Sequence, residues 1–439
     1  MKNLLIINNK IKPFRKKITI DGDKSISIRW ALLASQSKSV SVAKNILRSE
    51  DVFSTLNCLK KLGIKFKLTK KFCEIKGLGL NGFKSKNVTL NAGNSGTFGR
   101  LICGLLTHTK FKTKIIGDTS LSKRDFTRVI DPLKKFGANF HTNKGKLPIT
   151  IIGTTKPKPI NYIETRGSAQ VKSSIMLAAL NTKGTTIIKA KKSRNHTELF
   201  FKYLNIPMKI TRKKKYDLIK INGLKKIKKL NYKIPSDISS SAFFIVLTIL
   251  SNNSKLIIKN VNINPSRTGI LKIFNLMNIK IKIQNIKNYK GEKIADLFVK
   301  SQQNIKPINC PVKLNSSSID EFLLIFLLAA KANGVSYFKN LSELNEKESP
   351  RLVWGSKILS LMGIRNIVTN KSIKIYGNPQ LKIKKKITIK NFLKDHRVFM
   401  TSVVAALSFG GEWHIHDKDA VQTSFPSFLK IIDMFKNEK

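Results

Sequence analysis

Five times along the 439-residue chain, an amphipathic segment runs into a glycine or asparagine and then into a short β-branched alternation. The segments are LKKLGIKF (59–66), LKKFGANF (133–140), FKYLNIPMKI (201–210), IFNLMNIKIKI (273–283) and ILSLMGIRNIV (358–368). Their pivots, Gly63, Gly137, Asn205, Asn278 and Gly363, are 74, 68, 73 and 85 residues apart. FLKIIDMFKN (428–437) would place a sixth pivot near Lys436, another 73 on. Glycine past the last apolar turn is a helix stop, and period-two alternation is a half-buried strand. A helix and a strand of this kind each bury only one face, so such units must pack on one another. The spacing predicts six copies of a unit of roughly 70 residues. The lysine-rich stretch 211–233 and Pro235 mark the middle, so the expectation is an α/β chain of two lobes with three units each. One lobe is expected from 1–20 plus 237–439 and the other from 21–236.

The chain is 41% hydrophobic and can bury full cores, and its longest apolar runs, AFFIVLTIL (242–250) and FLLIFLLAA (322–330), are too short to span a bilayer. MKNLLIINNKIK has too short an apolar run for a secretory signal, so a cytoplasmic protein is expected. Cys58, Cys73, Cys103 and Cys310 are scattered without a CxxC and read as reduced and structural, and the six histidines form no recognisable metal motif. The balance of 83 Lys+Arg against 25 Asp+Glu, net +58, has two readings. One is nucleic-acid binding; the other is compositional drift in a Lys-, Ile- and Asn-rich chain. The lysines are spread through solvent-type positions without stacking aromatics or a nucleic-acid motif, which favours drift. Either way, such a potential attracts small anions.

Chemistry-bearing residues gather where loops become apolar helices. DGDKSISIRWALLA places Lys24, Ser25 and Arg29 at such a start. Cations there oppose the helix dipole, and an anion bound among the helix N–H groups would resolve the conflict. LNAGNSGTFGR (90–100) packs small residues between Leu90 and Arg100, either as an anion cradle or as a plain turn. GDTSLSKRDFTRVI sets Lys123 and Arg124 before a helix whose first turn is expected to carry Asp125. TRGSAQVKSS places Ser168, Ala169 and Gln170 at a helix mouth with Lys172 one turn inside, and Ser168 also suits an ordinary cap. Asp320 and Glu321 precede FLLIFLLAA as either a structural cap or functional acids; Lys347, Glu348 and Arg351 head another helix, and Asp395, His396 and Arg397 a further one. Recurrence of the same placement predicts helix starts converging on a cleft for small polyanions.

Taken in order, GDKSISIR, NAGNSGTFGR, GDTSLSKR, SAQVKSS, NPSRTG (264–269), IDEF, KESPRL, DHR and TSFP (423–426) resemble the 5-enolpyruvylshikimate-3-phosphate synthase family from about residue 20 to 428. The resemblance implies the two-lobed enolpyruvyltransferase fold of six βαβαββ-type repeats with the active site in the interlobe cleft. It also implies transfer of the enolpyruvyl group of phosphoenolpyruvate to the 5-hydroxyl of 3-phosphoshikimate, releasing phosphate, in the shikimate route to chorismate and aromatic amino acids. By motif, Lys24, Ser25, Arg29, Ser168, Ala169, Gln170, Ser193, Asp320 and Lys347 would hold 3-phosphoshikimate. Lys24, Asn94, Gly96, Arg124, Gln170, Arg351 and Arg397 would hold phosphoenolpyruvate, the planar guanidiniums suiting its carboxylate. Asp320 would take the proton of the 5-hydroxyl, and Glu348, with Lys24 nearby, would supply one to the methylene carbon. That last role needs a carboxyl held protonated. No metal or organic cofactor is implied, and the expected state is a monomer acting on small molecules, with no membrane and no specific nucleic acid.

Four positions depart from the family pattern: Asp125 replaces a usual Pro, Pro350 a common Asp, Glu343 a ligand Asn of some members, and Thr423 a lysine. Glu343 and Thr423 are therefore outside the expected site. A sister enzyme, UDP-N-acetylglucosamine enolpyruvyltransferase, would carry Asn where Ser25 stands and a reactive loop cysteine, which SLSKRD lacks. A polyanion-binding protein without catalysis would keep the basic surface but have no use for Asp320 or Glu348.

Overall fold

The pivots mark real helix ends. In the computed structural model, which describes residues 3–84 and 87–436, Glu50–Lys61, Thr127–Lys134, His196–Tyr203, Gly269–Leu276 and Arg351–Leu361 are helical. Gly63, Gly137, Asn205, Asn278 and Gly363 behind them all have positive φ, from 53° to 104°. Glycine enters that region freely and asparagine tolerates it, so each helix stops and the chain turns into a strand. Those strands are Lys65–Leu68, Asn139–Asn143, Met208–Arg212, Lys282–Tyr289 and Asn366–Val368. The last helix is Phe428–Lys436; Lys436 is itself helical, and 437–439 lie outside the described residues.

The chain divides into two compact units, each with its own apolar core. One comprises Gly22–Ile234 with Tyr289–Glu292. Among the described residues it contains three four-stranded sheets, in each of which a parallel pair is extended by two antiparallel strands. A parallel neighbour requires a crossover. Helix Gly96–Leu106 connects the parallel strands Val88–Asn91 and Lys112–Ile116, and helix Ala169–Ala179 connects Asn161–Glu164 and Thr185–Lys191. With Lys24–Ser35 these helices pack on one another as the buried centre of the unit, where the Trp30 Nε1–H donates to the Leu230 carbonyl at 2.8 Å.

The other unit comprises Met1–Asp21, Pro235–Asn288 and Lys293–Lys439. Arg15–Thr19 pairs in parallel with Lys255–Asn262, and Lys386–Ile389 with Glu412–His416. Val335–Phe338, Ile373–Tyr376 and Asn366–Val368 form an antiparallel sheet. The two longest apolar runs become helices Ile238–Leu250 and Phe322–Lys331, which pack with His396–Phe409 at the centre of this unit. Being apolar on all sides, they are buried on all sides. Among the described residues no helix is long and apolar enough to cross a membrane.

All four cysteines are free, buried thiols. Burial pushes Cys58, Cys73 and Cys103 up to about 12 and Cys310 up to about 11. His108, just past helix Gly96–Leu106, is also buried, with its Nε2 2.7 Å from the Ala178 carbonyl. That contact fixes the proton on Nε2, while Nδ1 has no hydrogen-bond partner. Burial lowers its pKa to about 4, against the hydrogen bond to Ala178. The unfolded chain therefore binds a proton near pH 6.5 that the folded chain refuses, so stability falls with pH between these values. From pH 7 to pH 5 the loss from this group is about 2 kcal/mol. Denaturant titrations at both pH values should show a His108→Gln variant losing less than the parent by that amount; equal losses would remove His108 as the cause.

Candidate active site

In the unit containing Gly22–Ile234, three loop-to-helix starts carry the expected residues. Asp23 caps the first, accepting from the Ile26 N–H at 2.9 Å, and Lys24 Nζ lies 3.0 Å from Asp51 Oδ2. A buried carboxylate thus lies against Lys24 beside the helix dipole. Arg29 is only 4% exposed, with Nε donating to Thr197 Oγ1 at 2.9 Å, Nη1 to the Ser25 carbonyl at 3.1 Å and Nη2 to Ser173 Oγ at 3.2 Å.

Ser95 caps the second helix through the Phe98 N–H, and Asn94 Nδ2 donates to Asp118 Oδ2 at 2.6 Å. A Cβ at Gly96 would stand 3.0 Å from Arg100 Nη1 and 3.2 Å from Arg124 Nη1. The glycine is thus what lets two guanidiniums close over this turn. Arg100 Nη1 also donates to Gln170 Oε1 at 2.9 Å, and Gln170 Nε2 to Thr97 Oγ1 at 3.1 Å. Ser168 caps the third helix through the Val171 N–H at 3.3 Å. Asn94, Gly96, Arg124 and Gln170 therefore lie around one turn, although 76 residues separate the first from the last. Burial, then the neighbouring Arg124 and Arg128 charges, lower Arg100 to about 10. Cations crowded in this way favour an anion among them. Ser193, in the turn before helix His196–Tyr203, has a buried hydroxyl without a hydrogen-bond partner. One detail differs from expectation: Asp125 precedes helix Thr127–Lys134 instead of lying in its first turn, and accepts from the Thr127 N–H at 2.8 Å. Lys172, one turn inside helix Ala169–Ala179 as expected, forms a fully buried pair with Glu198, Nζ to Oε1 2.5 Å.

In the unit with Pro235–Asn288 and Lys293–Lys439, the acids and arginines form a network around Asp395. Its fully buried carboxylate caps helix His396–Phe409 through the Arg397 N–H at 2.9 Å. It also accepts from the Ser349 hydroxyl at 2.9 Å and from Arg351 at 2.8 Å (Nε) and 3.2 Å (Nη2). Burial alone would raise the Asp395 pKa, yet Arg351 holds it below the usual carboxylate range. Conversely, Asp395 and Glu348 hold Arg351 protonated despite its burial. Arg351 Nη1 is 3.5 Å from Asp320 Oδ1, and Arg397 Nη1 donates to the Asp320 carbonyl at 2.8 Å with Nε 3.9 Å from Oδ1. Lys347, half-buried, ends the turn Ser342–Glu346 that leads into this cluster.

Glu348 accepts from Arg351 Nη2. The neighbouring acid Glu321 is fully buried: burial first, then Asp320, push its pKa up. It accepts from the Ser239 hydroxyl, makes no side-chain capping bond, and sits beside Arg267, which donates to Ser239 Oγ at 2.7 Å and to Asp237 Oδ1 at 3.3 Å. Of the two readings left open for Glu321, its side chain does not act as the cap.

A family model described as EPSP synthase (3-phosphoshikimate 1-carboxyvinyltransferase) matches residues 8–432. The chain belongs to this family. A 3-phosphoshikimate 1-carboxyvinyltransferase of Vesicomyosocius okutanii is 40% identical over 415 residues, 94% of each chain. Its counterpart in Petrotoga mobilis is 37% identical over 426 residues, 96% of this chain and 97% of the other. The solved EPSP synthase of Acinetobacter baumannii matches with a TM-score of 0.86 at 32% identity, covering 98% of both chains. The enolpyruvyl transferase NikO of Streptomyces tendae shares the fold alone, with a TM-score of 0.76 at 13% identity and coverage of 99% and 98%. The enolpyruvyltransferase fold expected from the sequence is thereby established. For an EPSP synthase family member, the sequence passed over two residues. Arg100 was visible as the end of the glycine-rich stretch, but nothing local marked its bond to Gln170. Asp395 was visible only as one acid of a charged triplet.

Proposed function

We infer that this chain carries out its family's reaction, enolpyruvyl transfer from phosphoenolpyruvate to 3-phosphoshikimate in the shikimate pathway, with two sets of binding residues. Lys24, Ser25, Arg29, Ser168, Ala169, Gln170, Ser193 and Lys347 bind 3-phosphoshikimate; Asn94, Gly96, Arg124, Gln170, Arg351 and Arg397, with Lys24, bind phosphoenolpyruvate. Asp320 accepts the proton of the 5-hydroxyl as that oxygen bonds to the central carbon of phosphoenolpyruvate, whose methylene takes up a proton. Phosphate then leaves as the methyl group so formed gives a proton back, restoring the methylene, and the cations stabilise the charge on the phosphate-bearing intermediate. Glu348 keeps its place as the proton donor only if substrate draws Arg351 away from it. The observation that carries this reading is the Asp320 carboxylate held by Arg351 and Arg397 at the start of a buried helix. An arginine pair that can recruit a carboxylate stands there beside a group that can accept a proton.

We place the chain in the cytoplasm as a monomer acting on small anions, its positive charge being compositional and directed at no particular nucleic acid. The spread of lysines through the sequence supports the last point. Phosphate release by the purified chain tests the assignment. Release that requires both phosphoenolpyruvate and 3-phosphoshikimate is the expected result; release with UDP-N-acetylglucosamine in place of 3-phosphoshikimate would transfer the chain to the sister activity.

A further inference from the structure

Helix His196–Tyr203 begins at Asn195 without a side-chain capping bond. Its first turn is instead held by three successive buried side chains, tied between them to three other elements. His196 Nδ1 lies 2.6 Å from Glu292 Oε1 of the turn Tyr289–Glu292. Thr197 Oγ1 accepts from Arg29 Nε of helix Lys24–Ser35 and donates to Ser173 Oγ at 2.7 Å. Glu198 pairs with Lys172 of helix Ala169–Ala179. Thr197 and Ser173 are each 1% exposed, so the triangle they make with Arg29 is closed to water.

We propose that Thr197 is a positioning residue for Arg29, setting the plane in which that guanidinium meets 3-phosphoshikimate. The proposal rests on the reading of Arg29 as a ligand of that substrate. Two neighbouring N–H groups of a guanidinium, on Nε and Nη2, form one straight edge. Here that edge is taken by the two hydroxyls of Thr197 and Ser173, at 2.9 and 3.2 Å. Hydroxyls orient a cation without cancelling its charge, as a carboxylate on the same edge would do. A third contact, Nη1 to the Ser25 carbonyl, ties the orientation of Arg29 to the loop that also carries Lys24 and Ser25. Because Thr197 is fixed on both sides, by His196 on the Tyr289–Glu292 turn and by Glu198 on Lys172, its hydroxyl is a stationary reference for Arg29.

The test is the isosteric Thr197→Val, which keeps the packing and removes the acceptor, with Thr197→Ser as the conservative control. The expected result is a KM for 3-phosphoshikimate raised about tenfold, with kcat and the KM for phosphoenolpyruvate within about threefold of the parent. Thr197→Ser should restore the parent value, and calorimetric titration of 3-phosphoshikimate alone should show the same weakening for Thr197→Val. A purely structural threonine would give a lower Tm with no selective change in either KM, and that result overturns the proposal. If Thr197→Val does not fold, Ser173→Ala removes the other hydroxyl of the same edge and must raise the same KM. Arg29→Lys separates the two levels. An unchanged 3-phosphoshikimate KM in that variant would refute Arg29 as a ligand, whereas a raised KM there beside an unchanged one in Thr197→Val would refute only the positioning role.

Discussion

Replacing Asp395 with alanine should lower the stability of its unit by about 4 kcal/mol and abolish activity with it. The size reflects the groups that the carboxylate would leave behind. Arg351 is 2% exposed, so its guanidinium would lose both bonds to Asp395 and keep a buried charge met only by Glu348 and the more distant Asp320. Breaking one side of a buried ion pair costs far more than the pair contributes net, because the surviving charge is stranded. The Ser349 hydroxyl would lose its acceptor and helix His396–Phe409 its cap, adding about 1 kcal/mol. The acid limb carries a second signature. Because Arg351 depresses the Asp395 pKa in the folded chain, its contribution is fully present above the unfolded value near 4. That contribution is lost as the pH falls through the lower folded value. Denaturant unfolding from pH 7 to pH 2 should therefore show the parent and Asp395→Ala converging in acid. A variant within about 1 kcal/mol of the parent at pH 7 would contradict a network centred on Asp395.

Asp320→Asn should do the opposite, leaving a stable chain that hardly turns over. The asparagine keeps the shape and the carbonyl that Arg397 Nη1 contacts, and the 3.5 Å contact to Arg351 is the weakest of that arginine's carboxylate contacts. Stability should change by less than about 1 kcal/mol. An amide cannot take the 5-hydroxyl proton, and loss of a general base lowers rates by about a hundred- to ten-thousand-fold. The fall should appear mainly in kcat, with a much smaller change in the KM for 3-phosphoshikimate, because most of the residues proposed to hold that substrate are untouched. A variant retaining more than about a tenth of parental turnover would move the base to another group, and the buried Glu321 next to it is the first to test.

What the sequence disclosed and what it withheld divide along physical lines. Helix ends were legible because their signals are local. Gly63, Gly137 and Gly363 announce a left-handed stop, and Ser168 accepts from the N–H three residues on. The apolar runs at 242–250 and 322–330 could hardly be anything but buried helices. Charge placement was legible only in part. Lys24 was legible as a cation at a helix start, but its partner, Asp51, lies on another helix and cannot be read from neighbouring letters. The Arg100–Gln170, Arg29–Thr197 and Arg351–Asp395 bonds span 70, 168 and 44 residues, and no period or motif encodes such a pairing. Glu321 shows the same limit: before an apolar helix it could cap or act as a functional acid, and only the packing around Ser239 and Arg267 shows where its carboxylate goes.

The four cysteines give this chain a built-in clock. A thiol that ionises only near pH 11 or 12 presents almost no thiolate to a reagent at neutral pH, so alkylation must wait for the surrounding layer to open. Cys58, Cys73 and Cys103 belong to one unit and Cys310 to the other, so the order in which the sulfurs become modified tells which half loosens first.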